Sequence, residues 1–320
     1  MVVVFTDAKA DRISENTVMS IAAVHHPGYT IDLPASHPFP MAKFRVLRNQ
    51  LGQHKGPITW HQPSMATPEQ LQRVHTRAYL DALMGGHLDR AAQRRSGFPW
   101  SAALIERVRL ETGGTLLTAR LALDQGLALN AAGGTHHAHA DFASGYCLLN
   151  DLAVTAKTLL ETGEVGRLLI IDLDVHQGDG TARLLADEPA AFTFSMHVAR
   201  NFPARKADSD WDLPLASGLD DAAYLGTLTG VLPRLIDDCD PDLVIYDAGV
   251  DVHHADRLGH CELSNAGLYE RDRRVIEAVR SRGIPLAGVI GGGYDRDLEA
   301  LCQRHAQLFH AAIHTQEESA

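Results

Sequence analysis

The second half of the chain alternates between short unbroken apolar runs and longer stretches with apolar residues at helical spacing. The runs are "RLLIIDLDV" at 167–175, "AFTFSM" at 191–196, "DLVIYDAGVD" at 242–251 and "IPLAGVIGGGY" at 284–294. They are rich in Val, Ile and Leu and do not alternate apolar with polar. That is the pattern of strands buried on both faces of a parallel sheet. Residues 151–162, 221–239, 265–282 and 295–314 read as helices; in the second, Leu225, Leu228, Leu232 and Leu235 share one face. Pro233 lies inside that helix and predicts a late start or a kink. Two proline-bearing stretches, 28–40 and 56–68, read as long surface loops. No repeat or linker divides the 320 residues, so the expectation is one α/β domain over 1–320 with helices on both faces of a mainly parallel sheet.

In such sheets ligands bind beyond the carboxyl ends of the strands. Every unusual polar cluster here follows a strand candidate: "AGGTHHAHAD" after "GLALN", "DLDVHQGDG" after "LLII", "GVDVHHADRLGH" after "LVIYDA", and "GGGYD" after "LAGVI". Four clusters are therefore expected on one rim. In "DLDVH", Asp172, Asp174 and His176 are spaced by two, so at a strand end they can face one side. A carboxylate with an imidazole suits Zn²⁺, or Fe²⁺ and Mn²⁺ with more oxygen ligands. Asp179, just ahead of the next helix, reads equally well as that helix's N-cap. Asp251 stands first after a glycine turn and is the third ligand candidate, whereas His253, His254 and His260 read as solvated loop residues. Tyr294 follows three glycines and can donate to developing negative charge; the plain alternative is a tight turn with Asp295 capping the last helix. Three ligands with an open position are the pattern of a catalytic zinc site. No G-x-S-x-G, H-E-x-x-H or phosphate loop occurs.

Composition adjusts this picture only slightly. Eighteen histidines fit metal or acid–base work. The four cysteines form no C-x-x-C pair, so neither a disulfide framework nor a Cys-rich zinc site is expected, and a reducing cytoplasm is the natural setting. The net charge of −11 argues against nonspecific nucleic-acid binding and would suit a lysine-rich peptide or a polyamine. The start "MVVVFTDAKADRISE" has no signal-peptide pattern, and no apolar run is long enough to span a membrane.

The stretches "GGTHHAHADFASGYCLLND", "IIDLDVHQGDGTA", "FTFSMH", "GVD" and "GGGY", with a weaker "VHTRAYLDAL" at 74–83, are similar in order and spacing to the histone deacetylase family of arginase-like zinc amidohydrolases. "GGTHHAH", "HQGDGTA", "FTFSMHVARNFPARK" and "DRLG" most resemble its class IV branch and bacterial relatives, in which long acyl chains are tolerated. The resemblance implies a three-layer αβα sandwich and zinc-dependent hydrolysis of acyl-lysine in proteins or peptides. It implies that Asp174, His176 and Asp251 hold Zn²⁺, with Fe²⁺ as the other candidate. His137 would be the general base and then acid, and His136 its electrostatic partner. Asp172 and Asp179 would orient His136 and His137, and Tyr294 would bind the oxyanion. Gly145, Tyr146 and Phe202 would line the acyl-lysine tunnel, and Asp172 with Ser195 would hold a monovalent cation, usually K⁺. Tyr146 departs from the usual Phe by a hydroxyl. Asp89 is a weak candidate for the acidic residue that grips the peptide backbone.

Two adjacent imidazoles cannot both be cheaply protonated, so their titrations should be coupled. Two carboxylates and one neutral His around Zn²⁺ make a formally neutral set, which favours a neutral amide carbonyl at the open position. The runner-up reading is an acetylpolyamine amidohydrolase of the same fold. A two-Mn²⁺ ureohydrolase would need a carboxylate where Gly178 stands, and a catalytically dead binding module would be expected to lack His137, Tyr294 or a ligand.

Overall fold

In the computed structural model, which describes residues 20–53 and 58–318, eight strands form one all-parallel sheet. They are β1 (Ile21–Val24), β2 (Ile58–His61), β3 (Leu127–Asn130), β4 (Leu168–Asp172), β5 (Ala191–Val198), β6 (Trp211–Leu215), β7 (Leu243–Asp247) and β8 (Leu286–Val289), in spatial order β2-β1-β3-β8-β7-β4-β5-β6. Successive residues of a strand point to opposite faces. In β4, Leu169 and Ile171 enter one buried apolar cluster while Leu168 and Ile170 enter the other. Both faces are therefore covered, which explains why the runs carry no polar alternation.

The helices are α1 (Lys43–Gln53), α2 (Pro68–Leu71), α3 (Arg77–Met84), α4 (Arg90–Ser96), α5 (Ala102–Gln125), α6 (Asp151–Glu161), α7 (Asp179–Leu185), α8 (Asp221–Cys239), α9 (Asn265–Arg280) and α10 (Leu298–Glu318). α1, α8, α9 and α10 pack together over one face, and α5, α6 and α7 bury Leu116, Leu152 and Leu185 over the other. This is the expected three-layer α/β architecture. Among the described residues no helix is long and apolar enough to cross a membrane.

Several expectations need correction. Pro233 neither delays nor breaks α8. It lies on the exposed face, as does Thr229, whose carbonyl loses its helical amide partner and can meet water instead. The stretch at 56–68 is not one loop: it contains the half-buried edge strand β2, and its first residues, Gly56 and Pro57, lie outside the described residues. The stretch at 28–40 is largely irregular, as expected. The last helix begins three residues beyond Asp295, and Asp297 caps it by accepting from the Ala300 amide at 3.0 Å. The N-terminal stretch read for a signal also lies outside the described residues.

Candidate active site

Strand register does the first part of the assembly. Asp172 ends β4 and pairs laterally with Asp247, the last residue of β7, and with Ser195 on β5. Past Asp172 the chain leaves the strand. Asp174 Oδ1 then accepts from the His176 backbone amide and from His176 Nδ1, both at 2.9 Å. His176 Nδ1 also lies 3.1 Å from Asp251 Oδ2. The other oxygen of each carboxylate is braced by backbone: Asp174 Oδ2 accepts from Gly292 at 2.9 Å, and Asp251 Oδ1 from Val175 at 2.9 Å. Gly292, the middle of the three glycines before Tyr294, therefore braces a ligand candidate.

Asp174, His176 and Asp251 each offer a donor atom within 4.8 Å of the others, and all three are buried. The donor set itself is the test of fit. Burial, and then the nearby Asp174 charge, push the Asp251 carboxyl up to about 7. Burial opposes a charge on His176, but its bonds to Asp174 and Asp251 raise it to about 10. Two crowded carboxylates that need a positive partner, with one imidazole, suit a divalent cation.

The "GGTHH" loop delivers the second part. Gly133 and Gly134 have φ of 88° and 86°, a left-handed conformation that favours glycine. The Asp151 carboxylate pins the turn, accepting from the amides of Gly134 at 3.0 Å and Thr135 at 2.7 Å. Asn150 Nδ2 donates to the carbonyls of His136 and Ala138. His136 and His137 thereby both face inward, with ring centroids 4.1 Å apart.

Each ring leans on its own aspartate. His136 Nδ1 donates to Asp172 at 2.8 Å, and His137 Nδ1 donates to Asp179 at 2.7 Å. Asp179 is the first residue of α7, yet its side chain makes no cap; it holds two imidazoles instead. The second is His139, whose Nε2 meets Asp179 Oδ2 at 3.1 Å. Reading the sequence alone leaves His139 outside the site; the structure makes it a buried support of the His137 carboxylate.

Burial disfavours charge on both members of the adjacent pair. On His136 it is outweighed by Asp172, Asp174 and Asp247, which hold the ring well above its ordinary range. On His137, burial is reinforced by the neighbouring His136 charge and only partly offset by Asp179, and the ring falls to about 3. Burial would lift Asp179, but its bonds to His137 and His139 take it well below the usual carboxylate range.

His136, His137, Asp174 and His176 form the floor of a cavity of about 340 Å³. Gly145, Tyr146 and Phe202 are on its wall. Phe202 stands edge-on to His137 at 4.8 Å, and Tyr146 packs on Phe39 at 5.3 Å and Tyr294 at 5.8 Å. Gly145 has φ of 53°, and a Cβ there would lie 2.6 Å from the His137 ring. Tyr294 lines the same cavity, and its amide donates to Asp256 at 2.7 Å.

Other residues depart from the sequence reading. Asp89 is exposed and caps α4 through the Ala92 amide at 2.8 Å; it does not line the cavity. His253 is buried rather than solvated, while His254 and His260 are exposed. Ser195 Oγ lies 3.0 Å from His197 Nδ1, beside Asp172 in register. Asp247 was no more than one acid in a motif; the structure buries it fully, 3.8 Å from His136 Nδ1, with neither oxygen hydrogen-bonded. Burial and the nearby Asp172 hold its carboxyl well above the usual range. The signal that could have found Asp247 was its placement, like Asp172, at the last position of an apolar run.

The histone deacetylase domain model matches residues 37–311. An uncharacterized protein of Picosynechococcus is 48% identical over 296 residues, covering 92% of this chain and 99% of its own. Histone deacetylase 2 of Arabidopsis thaliana is 34% identical over 190 residues, 58% of this chain and 49% of its own, so the chain spans about half the length of that relative. The crystal structure of a histone deacetylase homolog from Aquifex aeolicus superposes with a TM-score of 0.75 at 25% identity, over 92% of this chain and 84% of that one. With most of its length matched by the domain model, the chain belongs to the histone deacetylase family of amide hydrolases.

Proposed function

We propose that the protein hydrolyses N6-acyl-lysine in peptides or proteins with the help of Zn²⁺ or Fe²⁺, releasing a carboxylate and free lysine. One observation carries this reading. Asp174 and His176, two members of a buried two-carboxylate, one-imidazole set suited to a divalent ion, line one cavity with two oriented histidines and a tyrosine. Asp174, His176 and Asp251 would hold the ion, which when bound polarises the amide carbonyl and acidifies water. His137 is uncharged at neutral pH and can take a proton at Nε2, since Nδ1 is committed to Asp179. It accepts the proton of the attacking water as the new C–O bond forms, and returns it to the lysine nitrogen as the C–N bond breaks. His136 supplies a fixed positive neighbour. Tyr294 donates a hydrogen bond from its hydroxyl to the oxyanion. Phe202 and Tyr146 flank the acyl-lysine stem and keep water from it.

The same proposal takes Asp172 and Ser195 as holders of a monovalent cation such as K⁺. The class IV-like motifs are its support for acyl chains longer than acetyl. The polyamine alternative is less well supported, because the one arginine or lysine among the lining residues, Arg200, is exposed, whereas the carboxylate there, Asp174, is buried on the floor. The test is metal-free protein restored with Zn²⁺, Fe²⁺ or Mn²⁺ and given acetyl- to myristoyl-lysine peptides, acetylputrescine and arginine. Release of acyl groups from lysine peptides is expected; no release with any metal would overturn the reading.

A further inference from the structure

The cavity mouth differs from the rest of the surface. Among the described residues only four large hydrophobic side chains are exposed, and two of them, Phe202 at 45% and Leu258 at 44%, stand on this mouth. Exposed apolar groups gathered at a cleft mark a binding surface. Of the Asp, Glu, Lys and Arg residues that line the cavity, the exposed one is a cation. Arg200 lines the cavity and is exposed. Arg257, next to Leu258, is exposed, and its backbone amide donates to the carbonyl of the cavity residue Tyr294 at 3.2 Å. His260 completes the same edge. The nearby acid, Asp256, is turned inward: Oδ1 accepts from the amides of Leu258 and Gly259, and Oδ2 from Tyr294. Its carboxylate is thus engaged by the protein's own backbone and is poorly placed to meet a ligand cation.

We infer that the mouth selects acyl-lysine segments carrying acidic side chains beside the modified lysine, with Arg200 and Arg257 meeting the carboxylates while Phe202 and Leu258 cover the lysine stem. The inference rests on the proposed deacylase reading and refines its substrate class. The chain's overall charge of −11 does not oppose it. At physiological salt, charges more than about 8 Å away are largely screened, so an approaching peptide responds mainly to the local arginines.

The experiment compares three acetyl-lysine peptides of one length, flanked by Asp and Glu, by Ser and Gly, or by Lys and Arg, on the metal-loaded enzyme. The expected order of kcat/KM is acidic, neutral, basic. The difference should lie in KM and amount to about fivefold between acidic and neutral, the size expected of two exposed ion pairs. In the double variant Arg200→Gln/Arg257→Gln, and in 1 M salt, the acidic-to-neutral ratio should collapse toward one. Cleavage of all three peptides at equal efficiency, or a preference for basic flanks, overturns this inference and leaves the deacylase reading standing. Cleavage of none overturns both.

Discussion

His136 and His137 are adjacent, equally buried and each bonded through Nδ1 to one aspartate, yet their surroundings give them opposite tendencies. His136 faces Asp172 at 2.8 Å, with Asp174 and Asp247 both at 3.8 Å. His137 faces Asp179, and that carboxylate is shared with His139. Two unit charges about 4 Å apart repel by roughly 4 kcal/mol at an effective dielectric of 20. With ring centroids 4.1 Å apart, the pair therefore takes only one proton beyond its two Nδ1–H groups, and the carboxylate-rich side decides which ring carries it. Adjacent residues of one type are given opposite affinities for a proton by the number of acids that face each of them.

The strongest way to break this comparison is to remove its working half. His137→Gln should lower kcat by about 10²–10⁴-fold with little change in KM, as expected for a general base and acid. Activity near that of the wild type would place the proton transfer elsewhere. Tyr294→Phe should lower kcat by about 10²–10³-fold, the usual effect of losing one oxyanion donor. The aspartates should then separate by sign. In Asp179→Asn the anion favouring protonated His137 is lost, so the acid limb of the pH–rate profile moves to lower pH, with activity down about 10–100-fold. In Asp172→Asn the charge on His136 is weakened and so is its repulsion of His137, so the acid limb moves to higher pH. Shifts in the same direction would contradict the division between the two rings.

The smallest effect concerns stability and lies outside the cavity. His75 is buried and fully used as a neutral ring: Nδ1 donates to the His139 carbonyl at 2.9 Å, and Nε2 accepts from the Asn150 amide at 3.0 Å. Burial holds it down to about 4. The unfolded chain therefore takes up this proton first, near pH 6.5. The contribution of His75 to stability is intact above that pH and is lost as pH falls toward 4, an effect on the order of 3 kcal/mol. A melting temperature that falls less steeply with acid in His75→Gln than in the wild type would bear this out; identical acid slopes would not.

Much of the site was legible because it lies where apolar runs end. "LLIID" and "LVIYD" read as buried strands from residue type alone, and the polar clusters after them are the rim. Other parts depended on geometry that residue type does not encode. α5 carries no clean apolar stripe in its sequence: Arg107, Glu111, Thr112, Thr115 and Thr118 are all buried in it. β6 carries Pro214 and polar neighbours, which only an edge strand tolerates. The pairing of Asp247 with Asp172 is a matter of strand register, and the sharing of Asp179 by His137 and His139 depends on a loop pinned by Asp151. The net charge of −11 suits a cationic partner and plain solubility equally, and does not reveal that Arg200 and Arg257 stand at the mouth.

The central claim is that the metal belongs to Asp174, His176 and Asp251 while the adjacent histidines work beside it. Metal content per chain, measured on wild type, His137→Gln and Asp251→Asn purified alike, tests it most directly. One equivalent of divalent metal is predicted in the wild type and in inactive His137→Gln, with a large loss in Asp251→Asn. Retention of the ion by Asp251→Asn, or its loss from His137→Gln, would contradict the account.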